Sequence, residues 1–453
     1  MMALEEAQRT LEVAVETARQ GADEAEAALL GGTLGVTRFA DNEVHQAVEQ
    51  SRDLLSIRVI TKGRAARAET SDVSLTGLRA AARQARLSAE AQKPQESKVY
   101  LPGPQTYRSH DAFDPDTERA TPLDRMAPAG RAIIEAHRHG LFASGYVATR
   151  WGAPDFLGEG DRPYAIMNTK GLFAYAGPTR ASFCVTMRNA AGPTGWADAE
   201  AHALAALDAD AALERAKQKA LITGAPRTLK PGLYDVILEP AAVASLLEFV
   251  GEECGAENLE AGRSFLAGRI GQKLAGENVT IIDDVLHPLH RGVPFDPDGI
   301  PRRRVPIIEG GVAKGTVSCF ETAMRLGIEP TGHRRSSALF GEGEVASHLV
   351  MTGGTKSYDE LLGETKAAVL VTRIWYARLV DPRSLMVTGV TRDGTFLVEG
   401  GRVVGPVADM RFNVSVLDLL SRIEAMTASV WSSGLVVPCL RASGFPFTAP
   451  VPR

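Results

Sequence analysis

Two carboxylates one helical turn apart, on an otherwise apolar segment, are the first residues in this chain able to do chemistry. In the run from Pro240 to Glu253 they are Glu248 and Glu252, at i and i+4, so a helix would place both on one face. Such a pair holds a hard cation weakly. Cys254 follows Glu248 by six positions, about 600° round a helix, so its thiol points elsewhere. A second group, Asp283, Asp284, His287 and His290, has the composition of a metal cluster. Pro288 disfavours a helix there, and a His-x-x-His pair on irregular backbone has no fixed geometry. His137 and His139 stand two apart and would face different sides of a helix, while His333 and His348 are isolated. Gly341-Glu-Gly-Glu344 has the spaced glycines of a phosphate loop, but its two acids and missing lysine would repel phosphate. No Ser, His and Asp set has a spacing that singles it out for nucleophilic catalysis.

The elements that must carry these residues follow from periodicity. Leu4, Ala7, Leu11 and Ala14 predict an amphipathic helix over Ala3 to Gln20. Ala27–Leu30, Gly35–Phe39 and Leu54–Ile60 are strand-like, and Asp72 or Ser74 can cap a helix running to about Gln92. From Glu96 to about Leu123 prolines, glycines and polar residues read as a linker, followed by a short helix from Arg131 to His139. Four short strands between Gly145 and Met187 form a meander, and an Ala-rich helix is expected from Asp198 to about Thr223. Lys230-Pro-Gly232 opens the strand Tyr234–Leu238 and marks a boundary. Beyond the Pro240 helix, strands are expected at Val279–Ile282, Val305–Ile308, Gly315–Ser318, Ala368–Val371, Leu385–Val390, Gly394–Val398 and Val403–Val404. Arg392-Asp-Gly394 and Glu399-Gly-Gly401 read as tight turns. The fold class is α+β, with mixed, largely antiparallel sheets and packed helices. Three domains are expected: 1–95, 96–228, and 229–453 with the Pro240 helix.

With 453 residues and 44% hydrophobic content the chain has ample core. A net charge of −5 argues against nucleic acid as a partner, since phosphate binding needs concentrated Lys and Arg. The basic run Pro301-Arg-Arg-Arg304, beside the Asp296–Gly299 turn, reads as a solvated or inter-subunit strand. Four scattered cysteines without a Cys-x-x-Cys pair suit free thiols in a reducing compartment. No apolar stretch approaches the ~18 residues of a membrane span, and the acidic start lacks the order of a secretory signal. The expected location is the cytoplasm.

The Pro240–Glu253 segment, followed by Gly262-Arg-Ser-Phe-Leu-Ala-Gly-Arg-Ile-Gly271 and Thr280-Ile-Ile-Asp-Asp284, resembles the core of the TldD/PmbA family, the modulator-of-DNA-gyrase proteins. Arg58–Arg64, Phe295–Arg302 with Ile308–Val312, Gly353–Leu362, Val387–Val390 and Leu397–Val403 follow that family's order. Ser347-His-Leu-Val350 departs from it where an Asn usually precedes the apolar pair. In the TldD branch this helix carries His-Glu-x-x-x-His. Laid on Leu247-Glu-Phe-Val-Gly-Glu252, both histidines are replaced, by Leu247 and Glu252, and only Glu248 keeps its type. Leucine has no lone pair for a metal, so a His-bound zinc site cannot form. The branch's third ligand, a cysteine before a Val-Pro pair, is also missing: Val437-Pro438 precedes Cys439. Glu248 is then a remnant or a polar contact at a domain interface, and His333 and Arg263 are candidates to line the cleft.

The resemblance implies the PmbA (TldE) branch: a dimer in which a TldD-type paralogue carries zinc and this chain, with no cofactor of its own, completes a chamber for unfolded or precursor peptides. Extended peptides would be held by strand addition. The alternative is a non-proteolytic, homodimeric protein that binds peptides or a regulatory partner.

Overall fold

The computed structural model describes residues 2–93, 100–108, 112–153, 162–190, 192–335 and 343–451. Its first half is built on one eight-stranded antiparallel sheet: β1 (Glu24–Ala40), β2 (Glu43–Thr61), β3 (Arg64–Thr70), β4 (Leu141–Gly152), β5 (Pro163–Asn168), β6 (Phe173–Tyr175), β7 (Thr179–Asn189) and β8 (Thr194–Ala201). The order is β3-β2-β1-β4-β7-β8, with β5 and β6 attached through β1. Asp41 and Asn42, at φ 47° and 67°, make the left-handed two-residue turn that joins β1 to β2 with matching twist.

Helix α1 (Leu4–Arg19) buries Ala7, Leu11, Ala14 and Ala18 against this sheet beside α2 (Leu75–Ala91), whose start is capped by Ser74. After a single turn, α3 (Pro115–Glu118), comes α4 (Pro122–Arg138), and α4 corrects two expectations at once. The helix begins nine residues before Arg131, inside the supposed linker, because Thr121 and Asp124 form a reciprocal capping box and Pro122 suits the first turn. Because β1 pairs with both β2 and β4, residues 1–95 and 96–228 share one sheet, so residue 95 is no domain boundary. The Ala-rich helix also starts later than expected. Asp198 lies on β8, opposite Cys184 of β7, and α5 covers only Ala209–Ala220. Pairing and burial on the sheet override the alanines' helical preference.

From β9 (Gly232–Leu238) onward the chain builds two further sheets, using β10 (Ile281–Asp283), β11 (Val305–Glu309), β12 (Val312–Ala313), β13 (Leu349–Met351), β14 (Ala367–Asp381), β15 (Met386–Glu399), β16 (Arg402–Pro406), β17 (Met410–Ser415), β18 (Ile423–Met426), β19 (Val430–Ser432), β20 (Leu435–Val437) and β21 (Leu440–Pro450). One sheet runs β12-β11-β10-β13-β20-β19. In the other, β14-β9-β21-β17-β15 closes on itself through β14–β15 pairing, which leaves no open edge among those strands. Arg392-Asp-Gly394 is not a hairpin turn. β15 runs straight through it, and Asp393 and Gly394, both at positive φ, form a bulge opposite β14. Gly315–Ser318 is not a strand either, since only Val317 makes a single bridge, to Gly255.

Helix α6 (Pro240–Glu253) fills the space between these sheets. Pro240 sits in its first turn, and Ala242, Val243, Ala244, Leu246, Leu247 and Val250 all enter the main core. A helix apolar on most sides must be buried, which is why this one is central. Among the described residues, no helix is long and apolar enough to cross a membrane.

Candidate functional site

The two halves meet along a cavity of about 390 Å³. One wall is the first sheet, with Arg150 on β4, Arg180 on β7, and Trp196, Asp198 and Glu200 on β8, joined by Arg162 just before β5. The other wall is Glu248 of α6, the loop from His290 to Arg302, His348 before β13, and Trp431 of β19. β8 and β19 are each the last strand of their sheet, and the two edges are fastened together. Oδ2 of Asp198 accepts the backbone N–H of Ser433 at 2.8 Å, and its Oδ1 accepts from Ser432 Oγ at 2.9 Å. A second fastening lies behind α6, where buried Lys219 of α5 pairs with Glu239, which also accepts from the Tyr358 hydroxyl at 3.2 Å.

Burial controls the electrostatics here. Asp198 is pushed up to about 6 by burial and then by Glu200, against the hydrogen bonds from Ser433 and Ser432. Asp296 is raised by burial and by the neighbouring Asp298. Burial pulls His290 down to about 4, and burial followed by the Arg302 charge lowers His348. Both imidazoles are therefore neutral at pH 7. They meet edge to face at 5.5 Å between centroids, with Trp431 6.2 Å from His290. Arg180 binds Glu200 and lies 4.8 Å from the Trp431 ring centre, a cation–π contact. The site is a mixed-charge, aromatic-edged cleft suited to a polar ligand.

Of the residues singled out by sequence, Glu248 lines the cavity, and Glu252 does not share its role. Both terminal nitrogens of Arg335 donate to the Glu252 carboxylate, one of them at 3.1 Å. His333 is wholly buried and is spent on Asp283 and Thr331, so it supports the wall rather than lining it. Arg263 is exposed and bonded to Asn258, away from the cavity. The supposed Asp283–His290 metal cluster is split. Asp283 is tied to His333 and to the His348 backbone N–H, Asp284 closes a turn onto Leu286, and only His290 reaches the cavity. Gly341 and Glu342 lie outside the described residues, and Glu344 is buried, accepting from Glu257 N and Thr322. The run Pro301–Arg304 also needs correction. It is not a strand, and while Arg303 and Arg304 face solvent, Arg302 turns into the cavity. The local sign that was available is the Asp296-Pro-Asp-Gly299 turn, which redirects the chain just before it.

A His-bound zinc does not fit α6. Leu247 is 1% exposed within the core, Glu252 is engaged by Arg335, and Cys254 and Cys439 are buried among apolar side chains. Among the described residues no three His, Cys, Asp or Glu side chains converge as metal ligands would.

Comparison with known proteins matches residues 231–449 to the family described as PmbA/TldA metallopeptidase C-terminal domain. TldE from Thermococcus kodakarensis has a similar structure, with a TM-score of 0.86 at 23% identity over 96% of this chain and 99% of that one. Two proteins named metalloprotease are similar in sequence: one from Methanothermobacter thermautotrophicus, 26% identical over 43% of each chain, and one from Archaeoglobus fulgidus, 29% identical over 39% of this chain and 41% of that one. These matches span about two fifths of the length of those relatives. The second half of the chain thus resembles the PmbA/TldA C-terminal domain, and the chain as a whole shares the fold of that TldE structure.

Proposed function

We propose that this PmbA/TldD-type chain is the non-zinc subunit of a two-subunit metallopeptidase assembly acting on unfolded or precursor peptides. The observation that carries the reading is the state of α6. By the sequence resemblance this helix corresponds to the one that carries the metal in the TldD branch, and here the position of the first ligand is a core leucine and that of the second an acid held by Arg335. Neither position is left over as a damaged site. Leu247 contributes to packing, and the Glu252–Arg335 pair ties the helix end to the segment around His333. The chain contributes shape and a charged cleft, and a TldD-type paralogue contributes the metal and the hydrolytic step.

The test mixes the purified chain with a zinc-bearing TldD-type paralogue and follows cleavage of an unfolded peptide. Activity well above that of the paralogue alone, with light scattering showing a mixed particle, is the expected result. A chain that neither associates nor changes that activity would remove the subunit reading. A homodimer that binds peptides without cleaving them would then replace it.

A further inference from the structure

Arg302 and Arg162 both line the cavity, from opposite halves of the molecule, near enough for their charges to repel. Arg302 is short of partners. Its Nη1 donates to Ser347 Oγ at 3.2 Å, and its Nε is buried without an acceptor among the described residues. The acids whose fields reach it are already committed. Asp283 accepts from His333 and from His348 N, and Asp296 accepts the backbone N–H groups of Asp298, Ile300 and Arg334. On the same wall the Trp431 indole N–H is also buried without an acceptor. Arg302 is half-buried with its Nε sealed from solvent and unmatched, and the nearby carboxylates accept from other donors, so the guanidinium keeps hydrogen-bonding capacity for an anion in the cavity.

We propose that the cavity binds the free carboxylate of a short peptide, held by Arg302 and facing Arg162. A carboxylate fits the planar fork of a guanidinium in a bidentate pair. The other carboxylates of the lining, Asp198, Glu200 and Glu248, repel a dianion such as phosphate more than the single charge of a carboxylate. Those acids line the rest of the cavity, Asp198 held by Ser432 and Ser433 and Glu200 by Arg180, so the remainder of the ligand meets an anionic wall to which peptide N–H groups and an amino terminus are suited. A cavity of about 390 Å³ admits two or three residues. The choice of a peptide over another carboxylate rests on the function proposed above; the anion site rests on Arg302 and its unmatched Nε.

Calorimetric titration of the purified full chain tests this with tri-alanine, its carboxyl-terminal amide, and inorganic phosphate. The free acid should bind at least about tenfold more tightly than the amide, and Arg302→Gln should weaken it by a similar factor, the loss of one charged hydrogen-bonded contact. Arg302→Lys should retain part of the affinity. Should Arg302→Gln not fold, as judged by circular dichroism, Arg162→Gln supplies the same comparison. Equal binding of acid and amide, or phosphate binding more tightly than the peptide acid, would overturn the proposal. Carboxylate-selective binding without any effect on a paralogue's activity would leave this site standing and remove the subunit reading. An effect on activity without such selectivity would do the reverse.

Discussion

Nε2 of His333 lies 2.9 Å from Oδ1 of Asp283, and both side chains are wholly buried. The second carboxylate oxygen accepts the His348 N–H at 2.7 Å, and Nδ1 of His333 meets Thr331 Oγ1 at 3.0 Å. β10, the His333 segment and the approach to β13 are thereby fixed by one carboxylate, which positions the cavity wall bearing His348.

Breaking that pair should be costly. His333→Ala leaves a buried carboxylate short of its partner, and about 3–5 kcal/mol of stability should be lost in urea unfolding. The pair also sets an acid limit. Burial alone would raise Asp283, but the charge and hydrogen bond of His333 outweigh it and hold the carboxyl below its usual range. A depressed value contributes stability above the unfolded pKa of about 4, and that stability is lost as pH falls further. Asp283→Asn should therefore flatten the pH dependence of stability below about pH 4.

Asp198 has the opposite sign. Its carboxyl is raised to about 6, so the folded state takes up a proton that the unfolded chain does not. Its contribution is full below the unfolded value of about 4 and is lost as pH rises through 6. Asp198→Asn keeps an oxygen for the Ser433 N–H and removes the buried charge. Melting temperatures measured from pH 4 to 8 should lose the slope this group produces, with no penalty for the variant at pH 8.

Restoring the two histidines should not restore a metal site. Leu247→His puts an imidazole into close-packed core, and Glu252→His strips Arg335 of its carboxylate. The double variant should melt well below the parent and carry far less than one zinc per chain by elemental analysis. Stoichiometric zinc in a folded double variant would show that α6 tolerates the ligands after all.

Gly251 lets α6 approach the strand side of the cavity. A Cβ there would collide with the Ala346 carbonyl oxygen and stand 3.2 Å from Leu349 Cδ1. The obstacle is backbone, so the helix must move. Gly251→Ala should cost about 1–3 kcal/mol in a denaturant titration, the usual range for overpacking.

Sequence alone determined what depends on residue type and local period. The α+β class, helices α1, α2 and α6, and the family likeness were legible because periodic burial and motif order are local properties. That Leu247 cannot ligate a metal was legible too, since no fold gives it a lone pair. The tertiary structure decided everything that depends on a distant partner. Asp198 is fastened to Ser433, 235 positions away, and that bond holds two sheet edges together, while the ladder with β7 makes β8 a strand. Glu252 loses its place beside Glu248 to Arg335, 83 positions on. Arg302 looks like its exposed neighbours Arg303 and Arg304, and only the turn at Asp296–Gly299 and the packing of the two halves send it inward. A charged side chain is cheap at the surface and costly inside, so its role follows from what the fold brings to meet it.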